Sequence, residues 1–456
     1  MPDSTVLIVS SEPLGAQMAG PAIRAYELAR ALADDFRVSI AAPAPSQVDD
    51  PRITVVHAGF IDYAPLLEAV QAADVVVAQQ LPPRLLSKLP GLGTRFIADL
   101  YNPTVMEVLE GVRDRPPASR RRLQSVVDHA AVAHCAAADH IICASEKQRD
   151  LWLGLMAGHG LLDIADYERD RTMRSLIDVV PFGMPAQPPQ RTGPAIRGVW
   201  PGIAPEDRIV LWGGGIWNWL DAITVIDAVA LLEGRRAATD PRTHLCFMGV
   251  GRPAVEARDV MSAGAEAIAH ARNIGVEGTV VHFNHGWVPY ADRGGYLLEA
   301  DLGVCAHHDH LEARFSFRTR VLDYLWARLP VVTTRGDTLA DLVETSGIGR
   351  TVAPEDPAAF ADALVSLLDD PDARAGAIGR IDALAPSFHW EEAVRPLRAF
   401  CAGSGDPPRT RHQAVLRRET IAQYPSLLAE THGRLGVRGA AAQLARNLRR
   451  AMTPKR

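Results

Sequence analysis

Residues Thr5–Ala33 read TVLIVSSEPLGAQMAGPAIRAYELARALA: a short apolar run, a Gly/Pro-bearing loop, then apolar positions recurring at helical spacing. TVLIVS, Thr5–Ser10, has no alternation of polar and apolar residues, which predicts a strand buried on both faces. Ala22–Ala33 predicts a helix. The same unit recurs along the chain. Strands are expected at Arg37–Ala41, Thr54–Val56, Asp74–Ala78, Arg95–Ala98 and His140–Cys143, with helices including Arg120–Ala137 and Glu146–Met156. Such alternation is the pattern of a parallel sheet covered by helices on both faces.

The segment PFGMPAQPPQRTGP, Pro181–Pro194, interrupts the pattern with five prolines and reads as an interdomain linker. Beyond it strands are expected at Arg208–Trp212, His244–Met248, Thr279–Phe283, Leu302–Cys305 and Pro330–Thr333. A length of 456 residues suits two such domains and an appendage. The expected division is a first α/β domain over 1–185, a linker over 186–195 and a second α/β domain over 196–385. A helix over 386–405 returns to the first domain, and a basic helical tail covers 406–456.

Charge is unevenly spread. The net charge is −6, yet residues 406–456 hold eleven Lys/Arg against three Asp/Glu, so residues 1–405 carry −14. An acidic body argues against nucleic acid as a partner. Apolar residues at 47% and charged residues at 22% mark a globular chain rather than a disordered one. The start, MPDSTVLIVSSEP, lacks a signal-peptide layout, and no apolar run approaches the roughly 20 residues of a membrane span. Five scattered cysteines without a CxxC pair read as buried thiols in a reducing cytoplasm.

Ligands of such sheets bind beyond the carboxyl ends of the strands, so three loops matter. In the first, Gly15 and Gly20 let backbone approach a ligand beside a helix N-terminus, or serve the turn alone. The second, LWGGGIWNWLD (Leu211–Asp221), offers bare amides at Gly214 and Gly215 to a diphosphate. Its Trp212, Trp217 and Trp219 either wall a sugar pocket or pack the hinge. The third, HHDHLEARFSFRTRVLDYLWARLPVVTTRGD (His307–Asp337), gathers Arg314, Arg318 and Arg320 ahead of a helix expected over about Thr319–Arg328. Guanidinium groups there suit a diphosphate. Glu312 at the mouth and Asp323 one turn in place carboxylates for sugar or ribose hydroxyls, with an internal salt-bridge cluster as the other reading. His307, His308, Asp309 and His310 are adjacent residues without a fixed-spacing partner, so no metal is expected.

From about Val6 to Phe400 the sequence resembles the family-four retaining glycosyltransferases, which implies the GT-B fold: two Rossmann-like domains facing across a cleft. The carrying pieces are AGPAIRAYELARAL with Gly20, ADHIICASEKQRDLW, VVPFGM, the run VHFNHGWVPYADRGGYLLEADLGV, and SFRTRVLDYLWARLPVV. The resemblance implies that Gly20 meets the donor phosphate and that Trp287 and Val288 lie in the segment cradling the nucleobase. It implies further that Arg318 and Arg320 face the diphosphate and that Asp323 holds the ribose, with Ser316 and Thr319 also among the donor-binding residues. Departures are plain. Phe315 stands where the family has its first glutamate, so Glu312 or a histidine of His307–His310 takes the donor-sugar contact. Gly215 and Leu220 stand where it has Arg and Lys, leaving the arginine cluster with Arg252 as the supply of positive charge. Arg328 replaces a glycine, and Phe182 an asparagine.

The implied reaction is transfer with retention from a nucleotide diphosphate sugar to a glycan or lipid-linked acceptor, without metal or other cofactor. Asp99, in IADLYNP, would position a hydroxyl, with capping or turn formation as the alternative. The implied setting is cell-envelope or exported polysaccharide synthesis in the cytoplasm. The tail arginines (Arg417, Arg418, Arg434, Arg438, Arg446, Arg449 and Arg450) carry two readings, an anionic membrane surface or a helix packed on the chain's own acidic body. A nucleotide-sugar epimerase of the same fold and a catalytically degenerate nucleotide-sugar-binding partner stay open as alternatives.

Overall fold

The computed structural model describes residues 4–60, 62–237, 239–250, 261–403 and 412–429. Two parallel sheets organise it. The first contains β1 (Thr5–Val9), β2 (Arg37–Ala42), β3 (Ile53–His57), β4 (Val75–Ala78), β5 (Arg95–Asp99), β6 (His140–Cys143) and β7 (Ile177–Val179), in the order β3-β2-β1-β4-β5-β6-β7. The second contains β8 (Arg208–Trp212), β9 (Thr243–Phe247), β10 (Val281–Phe283), β11 (Leu302–Cys305), β12 (Val331–Thr334) and β13 (Gly349–Val352), in the order β10-β9-β8-β11-β12-β13. Each order reverses beside its first strand, between β1 and β4 and between β8 and β11. That reversal opens a crevice at the carboxyl ends of the strands.

The local causes are visible in the residues. Val6, Leu7, Ile8 and Val9 are all buried, as an uninterrupted apolar strand under helices on both faces requires. The helix Gly20–Leu32 begins with Pro21 in its first turn, where a missing N–H costs nothing, and buries Ala22, Ala25, Leu28, Ala29 and Leu32 along one face. β7 and β13, IDV and GRTV, are edge strands that sequence pattern did not predict. Each is too short and too polar to show a period, and its place comes from pairing with β6 or β12.

Phe182 sits between Tyr101 (6.2 Å) and Trp390 (4.9 Å) at the first chain crossing between the domains. The second crossing is tied to it: Met184 N–H donates to Phe388 O (2.8 Å) and Trp390 N–H to Met184 O (3.1 Å). Beyond it the helix Arg395–Ala402 lies on the first domain, where Arg398 donates to Ala31 O (2.9 Å) and Phe400 stacks on His140 (4.5 Å). The tail helix Gln413–Ala422 packs on Pro117–Ala137, burying Leu416 and holding Glu419 2.6 Å from His129. Arg417 and Arg418 are exposed beside it. Arg252, Arg434, Arg438, Arg446, Arg449 and Arg450 lie outside the described residues. Among the described residues, no helix is long and apolar enough to cross a membrane.

Candidate functional site

The glycine loop after β8 is fixed by Tyr324. Its hydroxyl accepts from Gly213 N–H (2.8 Å) and donates to Val304 O (2.7 Å), joining the loop to the helix Arg320–Trp326 and to β11. Gly214 has φ +73°, with open space where a Cβ would stand, so bare backbone faces the crevice there. At Gly215 a Cβ would lie 2.9 Å from the Trp217 ring.

Of the three arginines, each has a different fate. Arg314 is exposed. Arg318 is buried and gives two hydrogen bonds to Glu312 (Nη1–Oε1 3.1 Å, Nη2–Oε2 2.6 Å), with its Nε 3.9 Å from Asp337. Two carboxylates therefore share its charge. Burial pushes Asp337 upward, but His307, 3.3 Å away, and the charge of Arg318 hold it below its ordinary value. Arg320 differs. Its Nη2 donates to Gly215 O (3.0 Å), its guanidinium lies over Trp212 (4.7 Å), and its Nη1 is buried without a hydrogen-bond partner. A buried, unpartnered guanidinium nitrogen near bare glycine backbone has the donor chemistry that an anion could accept from.

Asp323 is half-exposed, with one oxygen accepting from Arg293 Nε (3.1 Å). Arg293 in turn stacks on Tyr290 (3.7 Å) and Trp326 (4.5 Å). Ser316 spends its hydroxyl on Ala313 O (2.9 Å), and Thr319 stands at the helix N-cap without a capping bond from its side chain. The histidines diverge. His307 is buried 3.3 Å from Asp337, His308 is 3.1 Å from Glu355, and His310 caps the helix Leu311–Phe315 by accepting from Ala313 N–H (3.2 Å). Among the described residues no group of His, Cys, Asp and Glu is placed to hold a metal.

The first domain closes over this loop set. Trp287 Nε1 donates to Met18 O (3.3 Å), and Tyr290 meets both Ala16 O through its N–H (2.8 Å) and Glu27 through its hydroxyl (2.9 Å). Val288 packs against the core shared by the two domains. Asp114 accepts from Asn218 Nδ2 (2.7 Å) and from Ser262 Oγ (2.9 Å). The tryptophans belong to this closure: Trp217 lies 6.3 Å from Trp219 and 6.4 Å from Trp287, and Trp219 abuts Gly111. Gly20 opens its helix beside Tyr101, and an added Cβ there would make ordinary contact at 3.5 Å.

Asp99 is held in a buried ion pair. It is 4% exposed, and both oxygens are taken by Arg24 (2.7 and 2.8 Å), because the end of β5 lies under the helix Gly20–Leu32. A residue that sequence reasoning passed over stands nearby instead. Glu107, on the helix Thr104–Gly111, is half-buried opposite Glu312 and Arg318. Burial first, then the Glu312 charge, push its carboxyl up to about 8 against the opposing pull of Arg318. The only signal in sequence is its place, just past a strand end in a short apolar helix.

Residues 207–370 match the family model described as glycosyl transferases group 1. Solved structures align over most of the chain. Sucrose-phosphate synthase from Thermosynechococcus elongatus is 17% identical, with 88% of this chain and 97% of that one covered and a TM-score of 0.57. WaaG, a glycosyltransferase involved in lipopolysaccharide biosynthesis, is 17% identical over 88% of this chain and 100% of its own, at 0.59. The fold is GT-B. Anabaena HepE in complex with UDP-glucose has the same GT-B architecture, at 14% identity, 88% and 99% coverage, and 0.58. No curated protein sequence matches. In the GT-B frame, Gly214, Arg320 and Asp323 stand on the domain that carries the family match.

Proposed function

We propose that the chain is a retaining glycosyltransferase of family four, moving a sugar from a nucleotide diphosphate sugar to a hydroxyl of a glycan or lipid-linked acceptor. The observation that carries this reading is Arg320. Its Nη1 is buried and unpartnered while its Nη2 holds Gly215 O, next in sequence to the open backbone of Gly214, and Asp323 stands one turn further along the same helix. A diphosphate would accept from the guanidinium and the glycine amides, and Asp323 would accept from ribose hydroxyls. Trp287 and Val288 would border the base. Glu312, fixed by Arg318, would face the donor sugar.

In this reading the departing diphosphate takes the acceptor's proton while Arg320 stabilises its charge, so neither metal nor a strong protein base is called for. The neighbour HepE was captured with UDP-glucose, which makes uridine donors the first to try. Cell-envelope or exported polysaccharide synthesis on the cytoplasmic side is the setting that fits a lipid-linked acceptor, and Arg417 and Arg418 would meet an anionic surface there.

A second reading has its own observation. Arg318 is neutralised by Glu312 and approached by Asp337, so less positive charge is free than the cluster suggests. That favours a nucleotide-sugar-binding partner without turnover. A thermal-shift panel of UDP, GDP, dTDP and ADP sugars on wild type and Arg320→Ala tests both. A selective shift lost in the variant, with transfer to an added acceptor or to water, supports the transferase. A shift without any turnover supports the binder, and no shift in wild type refutes both.

A further inference from the structure

The guanidinium of Arg293 is held by two rings and a carbonyl. It lies over Tyr290 (3.7 Å) and Trp326 (4.5 Å), and its Nη1 donates to Tyr290 O (2.7 Å). The rings are themselves tied down. Tyr290 is bonded to the first domain, its N–H donating to Ala16 O (2.8 Å) and its hydroxyl to Glu27 (2.9 Å). Trp326 Nε1 donates to Gln187 O (2.7 Å), in the chain between β7 and β8. A planar fork held in this way keeps little rotamer freedom, so its Nε–H is aimed in one direction. Asp323 lies there, with Oδ1 3.1 Å from Nε.

This ion pair does little for folding, because the Asp323 side chain is 39% exposed and water screens it. What the bond fixes is the plane of the carboxylate, whose last torsion is otherwise broad. It uses one lone pair of Oδ1 and leaves the other, together with those of Oδ2. Oδ2 meets no donor among the described residues. Asp323 follows Arg320 by three residues, so the two share a face of the helix Arg320–Trp326. A ligand for that face carries an anion at Arg320 and hydroxyl donors at Asp323. Two hydroxyls on neighbouring carbons match two coplanar acceptor oxygens, whereas a second phosphate would be repelled.

We propose that Arg293 is a positioning residue that sets the Asp323 carboxylate to accept both hydroxyls of a ribose, so that the site selects ribonucleoside diphosphates over nucleotides lacking the diol. The inference rests on the transferase reading, in which Asp323 meets the ribose. Arg293 acts only through Asp323. A carboxylate free to turn must be ordered as the diol arrives, and that ordering weakens binding; one already held by Arg293 has nothing left to lose. The first domain takes part through Tyr290, since Ala16 and Glu27 hold the ring on which Arg293 rests. A 2′-deoxynucleotide sugar, with one hydroxyl for two oxygens, is the poorer donor.

The test titrates the full chain calorimetrically with UDP, GDP and ADP and with the 2′,3′-dideoxy counterpart of each, as wild type, Asp323→Ala, Arg293→Ala and Arg293→Lys. The readout is the ratio of affinities within a pair, because damage to packing lowers both members alike and leaves the ratio unchanged. In wild type the ribonucleotide of the base that binds should be favoured by about tenfold or more. Asp323→Ala should remove most of that preference. Arg293→Ala should lower the ratio by about twofold or more. Arg293→Lys keeps the charge but not the flat fork, so it should do the same, and it decides the point if melting shows the alanine variant unfolded. A smaller fall in either folded Arg293 variant overturns the proposal, whatever happens to overall affinity. So does a preference that survives Asp323→Ala, or a wild type that binds both members of its pair equally. If wild type binds no nucleotide of either kind, the transferase reading itself fails and takes the proposal with it.

Discussion

Arg24 and Asp99 form a two-bonded ion pair inside the first domain, with Nε–Oδ2 at 2.7 Å and Nη2–Oδ1 at 2.8 Å and almost no solvent on either side chain. The other N–H groups of Arg24 donate to Val180 O (2.9 Å) and Pro181 O (3.0 Å). The pair thus joins the helix Gly20–Leu32 and the end of β5 to the first chain crossing.

Breaking that pair leaves a buried guanidinium uncompensated. Asp99→Asn should cost about 3 kcal/mol of stability, read as a fall in the denaturant midpoint. Its affinity for nucleotide sugar should change by less than about threefold, since both carboxylate oxygens are taken by Arg24. An undiminished midpoint would show that Arg24 finds another partner.

Arg318 and Arg320 should separate cleanly. Arg318→Ala strands Glu312 in a buried site and should lower stability by about 3 kcal/mol. Arg320→Ala breaks no ion pair and should leave stability within about 1 kcal/mol, while weakening nucleotide diphosphate binding about tenfold or more. Calorimetric titration with UDP beside thermal melts measures both.

Gly183 has no room for a side chain. A Cβ there would stand 2.6 Å from the Trp390 ring, which is itself buried. Gly183→Ala should cost about 1–3 kcal/mol by forcing Trp390 aside. Gly214→Ala meets no atom but must hold φ +73°, a backbone penalty of about 1 kcal/mol, and should act on ligand binding more than on folding.

Acid should unfold the chain earlier than its carboxylates alone require. Burial lowers His140 to about 4, and burial with the neighbouring His244 lowers His282 to about 4. Between pH 4 and the ordinary value of 6.5 the unfolded chain binds more protons than the folded one, so stability rises with pH there. It should be complete above about pH 6.5 and decline toward pH 4, by a few kcal/mol for the two groups together. Melting temperature against pH for wild type and His140→Asn checks it; an identical slope in both would count against His140.

β1 (VLIV), β4 (VVVA) and β8 (IVLW) were the most legible strands because each puts four apolar residues in a row, as a sheet covered on both faces requires. IDV at β7 and GRTV at β13 carry no such run and exist by pairing alone. At the site, composition revealed an arginine cluster but not its bookkeeping. Which guanidinium stays free depends on Glu312 turning back onto Arg318 across the short helix Leu311–Phe315, a three-dimensional fact. Glu107 was invisible for the same reason, since its character comes first from burial in the folded chain and then from the charge of Glu312, which is remote in sequence. Arg328 shows the converse. It adopts a left-handed backbone that favours glycine, at φ +60°, and anchors its side chain on Asp382 (2.6 and 2.7 Å).

The paired crossings at Met184 and Phe388–Trp390 have a mechanical consequence. A single tether would let one domain swing and twist freely about the other. Two strands of chain bonded side by side act as a door hinge, with one easy axis and resistance to every other rotation. Any opening about that hinge would part Trp287 from Met18 and Asn218 from Asp114 together.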